Sequence, residues 1–175
     1  MPSLTRFSSR RQRLDHAFLR DRLRRAKSDK RIAGYFRSSI FELVGEEIAA
    51  IPDVRVLCNS DLDLQDLAVA KAVRDAALTE RWNEKPVELA SLLQRERYRR
   101  LYALLRAGNV QVRVVPRERS FLHGKAGVIA TPEGKICFLG SANETRSAFA
   151  TNYELLWEDP SQEGVAWVEE EFDAL

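Results

Sequence analysis

The chain has 175 residues, a length that suits one domain with a substantial hydrophobic core. Apolar residues make up 45% of it and charged residues 31%, and the net charge is +2, an ordinary balance for a globular protein. No apolar run approaches the roughly 18 residues of a membrane span, and the arginine-rich start lacks the apolar stretch of a secretory signal. The sequence therefore argues against a membrane protein. Cys58 and Cys137 lie in apolar runs without a CxxC or Cys/His neighbour, which indicates buried reduced thiols and leads us to expect a cytoplasmic location.

The first part of the chain alternates predicted helices and strands. Apolar spacing predicts a helix over 11–28, a buried strand over 31–36, a helix over 39–51, a strand over 54–58 and an alanine-rich helix that begins at Ser60 or Asp61 and ends at about Leu78. Residues 80–86 are a polar break. A longer helix follows and ends at Gly108, with one apolar face formed by Ala90, Leu93, Leu101, Leu104 and Leu105.

The later part of the chain is rich in predicted strands. They cover 110–115, 121–129, 135–139 and 153–157, and an amphipathic helix begins at about Gln162. This order predicts an α/β fold in which a mixed β-sheet is sandwiched between helices. We expect one domain over residues 1–175, with a basic N-terminal helical arm (1–30), a catalytic core (31–159) and a C-terminal helix (160–175). The last residues keep a helical pattern without a stop signal, which predicts a domain cut from a longer protein.

Positive charge is concentrated at the N-terminal end. Residues 1–31 contain eleven arginines and lysines against three aspartates, whereas residues 154–175 are markedly acidic. A basic stretch of this kind attracts the phosphate backbone of nucleic acid, but it is equally typical of a solvated helix face or of an arm between domains. The charge pattern alone leaves a nucleic-acid partner open.

The segment from residue 121 to residue 154 carries the side chains that are able to take part in catalysis. It contains His123-Gly124-Lys125, then Gly140-Ser141-Ala142-Asn143, then Asn152-Tyr153-Glu154. Residues two apart on a strand point to the same side, about 6.6 Å from each other, so His123 and Lys125 are predicted to share one face. Ser141 and Asn143 repeat this spacing at the end of the next strand. An imidazole, an ammonium, a hydroxyl and a carboxamide are therefore expected to meet at one edge of the sheet.

Such a set suits the cleavage of a phosphodiester, whose barrier is dominated by negative charge on the phosphoryl oxygens and by a poor leaving group. Lys125 supplies a positive charge, while Asn143 and Ser141 supply oriented donors. A neutral imidazole is a workable nucleophile near pH 7, which assigns this role to His123. A carboxylate bonded to the other ring nitrogen would fix the tautomer, and Glu154 is the candidate for it.

Together these segments resemble the signature of the phospholipase D superfamily, in which H-x-K is followed by G-S-x-N. The resemblance is closest to the nuclease branch, where a glutamate follows the asparagine by about the same interval that separates Asn143 and Glu154, eleven residues. It extends to nuclease domains attached to bacterial helicase or restriction proteins. The strong similarity covers residues 121–154 only. It implies a phospholipase-D-like α/β/α fold and a catalytic set, which is His123, Lys125, Ser141, Asn143 and Glu154.

The chain departs from the family pattern at one position. Many members carry an aspartate five residues after the lysine, where this chain has Ala130. The family also uses two copies of its motif, because one histidine attacks phosphorus and the other protonates the leaving oxygen. This chain has one copy, and its other histidine, His16, has no H-x-K pattern. The resemblance therefore implies a homodimer with a shared active site.

The predicted function is a metal-independent nuclease that works through a phosphohistidine, without a cofactor, as a module of a helicase-linked or defence protein. DNA is favoured over RNA as the partner, and no membrane is expected. Additional phosphate contacts are predicted from Arg95, Arg99, Arg100 and Arg119. Two alternatives stay open: a nucleic-acid-binding or dimerisation module with little or no activity, which Ala130 makes conceivable, and a phospholipid hydrolase.

Overall fold

The computed structural model describes residues 3–78 and 91–175. The strands are β1 (Thr5–Ser8), β2 (Ser28–Ala33), β3 (Asp53–Cys58), β4 (Val110–Val114), β5 (Ala126–Thr131), β6 (Gly134–Gly140) and β7 (Leu155–Asp159). The helices are α1 (Arg20–Leu23), which continues a π-helical turn over Asp15–Leu19, α2 (Phe41–Ala49), which follows a 3₁₀ turn over Ser38–Ile40, α3 (Leu64–Leu78), α4 (Glu96–Ala107), α5 (Arg146–Ala150) and α6 (Gln162–Ala174). The predicted polar break over 80–86 and the predicted helix residue Ala90 lie outside the described residues.

The strands form one seven-stranded sheet in the order β1-β7-β6-β5-β2-β3-β4. Strands β2, β3 and β4 are parallel to one another, while β5, β6, β7 and β1 pair antiparallel, so the predicted mixed sheet is confirmed. Strand β5 is the central strand, with three strands on each side. Within the described ranges, no helix is both long enough and apolar enough to cross a membrane.

The two faces of the sheet are covered unequally. One face carries the main hydrophobic core, which includes Phe18, Phe41, Tyr98, Leu101 and Phe149 from the helices that precede β7. The opposite face is covered by α6 alone among the described helices, through Val165 and Val168 against β5 and β6 and through Phe172 near β2. The part of this second face that β7 and β1 form therefore stays open to solvent.

The N-terminal residues do not form the predicted basic helical arm. Residues Thr5–Ser8 are an edge strand paired with β7, and the helical residues run only from 15 to 23, not from 11 to 28. Leu14, Phe18 and Leu23 are buried in the core, because the apolar residues between the arginines fall at helical spacing. The arginines themselves lie on the outside of that helix, where Arg22 pairs with Glu158 of β7.

Three strands also differ in their bounds from prediction, and β7 covers residues 155–159 instead of 153–157, so Glu154 precedes it. Strand β2 covers residues 28–33 instead of 31–36, because Asp29 and Arg31 are buried by pairing with charges, which an apolar pattern does not reveal. Strand β5 begins at Ala126 instead of 121, so His123 and Lys125 precede the strand. The predicted end of a helix at Gly108 is confirmed, since this residue has φ of 81° and caps α4.

A buried charge cluster joins β2 to the segment after β6. Arg31 donates from Nε to Asp29 Oδ2 and from Nη1 to Glu144 Oε2, both at 2.8 Å, and all three residues are buried. Burial raises the pKa of each carboxyl, and the Arg31 charge only partly offsets this effect. Burial also works against the charge of Arg31, but the two carboxylates outweigh it and raise the pKa of the guanidinium. Arg31 is therefore the counter-charge that makes two buried carboxylates tolerable.

Arg31→Met should lower the free energy of unfolding by about 3–5 kcal/mol at pH 7, because it leaves buried carboxylates without their partner. The loss should be smaller at pH 5. The pKa values of Asp29 and Glu144 in the folded state lie above their unfolded values, so the folded protein takes up their protons first, and a neutral carboxyl needs no counter-charge. Urea unfolding at the two pH values measures both effects.

Arg25→Met is the matched control, because Arg25 pairs with Glu133 at the surface, where both side chains are more than half exposed. Exposed pairs contribute little, so its unfolding midpoint should equal that of the wild type at both pH values. Equal losses from the two substitutions would contradict the assigned role of the buried cluster.

Candidate active site

The predicted catalytic residues lie at one end of the sheet, which we call the site edge. It is formed by the starts of β5 and β7 and by the ends of the other strands. Strand β5 runs antiparallel to both of its neighbours, so its start lies beside the ends of β2 and β6. A hydrogen bond from Gly140 N to Lys125 O at 3.0 Å continues this pairing one residue before β5. The middle of the sheet therefore places three chain segments around one point.

His123 presents its ring to solvent on a fixed backbone. The side chain is exposed, and its ring stacks on Phe121 with centroids 6.4 Å apart and planes 18° apart. Between them, Leu122 is buried, and its carbonyl accepts a hydrogen bond from Asn59 Nδ2 at 3.3 Å. The imidazole makes no hydrogen bond with any residue of the described ranges. It is thus accessible to a substrate, as a nucleophile must be.

Lys125 turns back toward the backbone of the same segment. Its Nζ donates to the carbonyl oxygen of His123 at 2.7 Å, so it lies on the same side as that residue. Partial burial lowers the pKa of Lys125, and the negative charge of Glu154 acts in the opposite direction. The ammonium therefore stands close to the histidine, partly withdrawn from water, where a positive charge interacts strongly with an anion.

Gly34, the residue after β2, packs against the centre of the site. A Cβ atom at this position would lie 3.2 Å from Cα of His123. It would also lie 3.3 Å from both Asn143 Oδ1 and Lys125 Nζ. Three predicted residues from two segments, His123 through its backbone, thus lie so near Gly34 that a Cβ atom would require them to shift by a few tenths of an ångström. The motif spacing did not predict this close approach.

The side chain of Asn143 extends from a fixed backbone, but its amide oxygen has no hydrogen-bond donor among the described residues. This oxygen, Oδ1, is buried. The next residue, Glu144, belongs to the buried charge cluster, and its backbone bonds to Tyr35 O at 3.1 Å and to Arg37 N at 3.0 Å. An orphaned buried amide on a fixed backbone is typical of a group that completes its hydrogen bonds with a ligand.

Ser141 and Glu154 form a pair beside this centre. Ser141 Oγ donates to Glu154 Oε2, and the hydroxyl oxygen accepts from Leu155 N at 3.1 Å. Asn152 Nδ2 donates to Glu154 Oε1 at 3.4 Å. The structure therefore places the buried carboxylate of Glu154 against Ser141 and Asn152 and not against the ring of His123. Asn152 is a neighbour of the site that the sequence analysis quoted within its motif but gave no role.

The four arginines predicted to contact phosphate occupy different positions. Arg119 lies in the loop before His123 and donates to Ala174 O at 3.0 Å. Arg95 precedes α4 at the site edge. This location follows from Arg97, two residues later, whose Nε donates to the hydroxyl of Ser38 in the turn that follows β2. Arg99 is exposed on α4, whereas Arg100 donates to Phe41 O at 3.1 Å and pairs with Glu96. Arg100 thus has a packing role, and the other three stay available to a ligand.

Comparison with known proteins supports the resemblance seen in the sequence. The model of the family described as "Cardiolipin synthase, PLD-like domain" matches residues 19–175. Among solved structures, NucT from Helicobacter pylori is 17% identical with a TM-score of 0.56, and the match covers 99% of this chain and 95% of NucT. Nuc from Salmonella typhimurium, called a phospholipase D family member, is 15% identical with a TM-score of 0.55 over 99% of this chain and 93% of Nuc.

A more distant relative in fold is yeast tyrosyl-DNA phosphodiesterase, at 11% identity and a TM-score of 0.52, with 90% of this chain and 32% of that protein covered. At these identities the solved structures show a shared fold only. No curated protein sequence is significantly similar to this chain. The family model nevertheless covers nearly all of the chain, including the whole site edge around β5. The chain therefore belongs to the PLD-like domain family of the phospholipase D superfamily, which includes nucleases and other phosphodiesterases.

Proposed function

We propose that this protein is a metal-independent phosphodiesterase that cleaves nucleic acid, DNA in preference to RNA, as a module of a helicase-linked or defence protein. The observation that carries the proposal is the convergence of His123, Lys125 and Asn143 around Gly34. The Lys125 ammonium, the unpaired Asn143 amide oxygen and the backbone of His123 border one small volume, and the exposed imidazole of His123 stands beside it. A nucleophile, a cation and an amide are what a phosphoryl group with developing negative charge requires. Tyrosyl-DNA phosphodiesterase, a fold relative, acts on a phosphodiester of DNA according to its name.

The proposed reaction has two steps. The imidazole of His123 attacks phosphorus, a P–N bond forms, and the P–O bond to the leaving alcohol breaks while the partner's His123 donates a proton to that oxygen. Water then attacks phosphorus, the P–N bond breaks, and the proton of the water returns to the partner's His123. Lys125 and the amide of Asn143 bind the non-bridging oxygens in both steps, so the site supplies the charge that a metal would otherwise bring.

Glu154 and Ser141 support this centre. The negative charge of Glu154 acts on Lys125 and raises the pKa that burial lowers. Ser141 and Asn152 fix the carboxylate in its place. We propose that this set keeps Lys125 protonated and oriented.

A second copy of the chain is required by this reaction, and an apolar surface is present to bind it. On the open half of the α6 face, five large side chains are between 38% and 53% exposed and surround a groove of about 440 Å³: Leu4, Leu139, Leu155, Trp157 and Trp167. We call this set the apolar face. It ends at Gly140 and Ser141, next to the site. Contiguous exposed apolar surface is typical of an interface, and a two-fold axis beside Ser141 would bring two sites together.

One observation supports the alternative of a phospholipid hydrolase: the description of the matching family names cardiolipin synthase. The apolar face has a mixed charged border for a lipid surface: Arg6 lies over the Trp157 ring, whereas Asp159 lines the groove and Glu163 lies on α6. Hydrolysis of phospholipid vesicles without cleavage of nucleic acid would replace the proposed substrate class.

His123→Ala should reduce cleavage of plasmid and single-stranded DNA by at least about 10³-fold, because it removes the nucleophile. Wild-type activity should persist in excess EDTA. Gel-based cleavage with the chelator present measures both, and circular dichroism checks that the exposed substitution leaves the fold unchanged. His16→Ala is the matched control and should cut like the wild type, since His16 lies on the N-terminal helix, beside Asp15 and outside the site. Activity that disappears with EDTA would contradict the mechanism.

Lys125 should lose its proton at a pH below 10.5, the ordinary value for lysine, because burial lowers its pKa. Glu154→Gln should lower the pKa of Lys125 further, since it removes the charge that favours the ammonium. An NMR titration of the Lys125 Cε resonance, assigned with Lys125→Arg, measures both values without relying on activity. An unchanged pKa in Glu154→Gln would show that the carboxylate does not act on Lys125.

Trp157→Glu should convert a dimer into a monomer, because it places a charge in the middle of the apolar face. Sedimentation velocity should give twice the 20.0 kDa of one chain for the wild type and the single mass for the variant. Cleavage should be lost together with the dimer. Leu67→Glu, at an equally exposed apolar position on α3, is the control and should stay dimeric. A wild-type protein that is monomeric at assay concentrations yet cuts DNA would contradict the shared site.

A further inference from the structure

The turn between β1 and the first helical residues lies at the site edge. Strand β1 runs antiparallel to β7, with Ser8 opposite Leu155, so the end of β1 lies beside the start of β7. The next residue, Ser9, is bonded twice to Glu154: Ser9 N donates to Glu154 O at 3.0 Å, and Glu154 N donates to Ser9 Oγ at 2.8 Å. Residues 9–13, which we call the basic turn, are thus fixed to a residue of the catalytic set.

The basic turn carries positive charge that the described protein does not neutralise. Arg10 and Arg11 are exposed and make no ion pair with any residue in the described ranges. Arg13 has a different role, because it donates from Nε and Nη2 to the buried carboxylate of Asp15 at 3.0 and 2.8 Å. That pair anchors the end of the turn, while backbone bonds from Arg11 and Gln12 to Ser8 O close its start. Two free guanidinium groups therefore stand on a rigid turn.

Several acidic side chains at the site edge lie away from the basic turn. Beyond β3 and β4, the site edge also carries acidic side chains, among them Asp61, Asp63 and Glu118. Asp63 lies within 4 Å of both Arg37 and Arg97, so it reduces their net charge. At the basic turn the one aspartate, Asp15, is buried and already paired. No exposed carboxylate of the turn therefore offsets the charge of Arg10 and Arg11.

The distance from the turn to His123 suits a polymer. Strand β1 is three strands away from β5, and neighbouring strands lie about 4.8 Å apart, which gives roughly 14 Å. One strand of B-form DNA rises about 3.4 Å for each nucleotide, so this span corresponds to about four nucleotides. A small phosphodiester bound at His123 would not reach the turn, whereas a nucleic-acid chain would pass over it.

We propose that Arg10 and Arg11 bind the phosphate backbone of the nucleic-acid substrate on the β1 side of the scissile bond. The inference rests on the proposed function for the identity of the substrate, and it assigns the basic N-terminal sequence to the site instead of to an arm. Two arginines on a fixed turn hold the chain about four nucleotides from the reacting phosphorus. They contribute affinity without selecting a base, because phosphate contacts carry no sequence information.

The test measures binding, not cleavage, so that it stays independent of the catalytic proposal. Arg10→Gln/Arg11→Gln is made in the His123→Ala protein, and fluorescence anisotropy follows a labelled single-stranded oligonucleotide and its duplex over a range of salt concentrations. Affinity at low salt should fall about tenfold, and the slope of log K against log salt should decrease by about one for each phosphate that the variant no longer binds.

Arg24→Gln/Lys27→Gln is the matched control. Both residues are exposed and make no ion pair within the described ranges, but Lys27 N bonds to Ala130 O at the opposite end of β5. The control removes the same charge from the far edge of the sheet and should leave the salt slope unchanged. Thermal unfolding of both variants verifies that the fold is intact.

The outcomes separate the two proposals. A loss specific to Arg10 and Arg11 supports the inference, even if the wild-type protein cleaves nothing. Equal losses of affinity in both double variants would show that only net charge matters, and this result would overturn the inference. Unchanged affinity in the Arg10→Gln/Arg11→Gln variant would overturn it too. Absence of nucleic-acid binding by the parent protein would overturn it as well. The proposed function fails on a different result, which is the lack of EDTA-resistant cleavage by the wild type.

Discussion

The geometry of the candidate active site depends on the burial of one arginine. Arg31 lies within β2 and pairs with Asp29 of its own strand and with Glu144 of the segment after β6. Removing charges from water is expensive, and it is tolerated only where partners and geometry compensate. Because these bonds fix Glu144, they also fix the position of the preceding residue, Asn143, beside Lys125 and Gly34. An interaction on the core side of the sheet thus determines the geometry at its edge.

Most of the fold could be predicted from apolar periodicity. The helices over residues 41–49 and 64–78, the end of a helix at Gly108 and the strands from β3 to β7 follow from patterns that burial imposes. The errors have a common cause. Strand β1 has one apolar residue, Phe7, and the start of β2 is polar, so neither segment looks like a strand in isolation. Both owe their structure to partners far away in the sequence, such as β7 and Glu144.

The residues of the candidate site could be predicted from the sequence, but the contacts between them could not. The spacing of His123, Lys125 and Asn143 identified the groups, because phosphate chemistry requires those types of side chain. It could not identify Gly34, whose contribution is the absence of a side chain between the Asn143 amide, the Lys125 ammonium and the backbone of His123. It also assigned Glu154 to the histidine, whereas the carboxylate lies against Ser141 and Asn152. Local spacing brought out the side-chain types, although His123 and Lys125 precede β5, and cross-strand partners depend on the register of the whole sheet.

Strand β1 has a consequence for the order in which the protein is assembled. Its four residues pair with a strand that begins 150 residues later in the chain, at Leu155. Contacts of such long range form late, and a short edge strand is among the first elements to fray. The centre of the sheet can therefore be complete while the first residues are still detached. During synthesis, the proposed binding of a nucleic-acid backbone by Arg10 and Arg11 would therefore become possible only after β7 has left the ribosome.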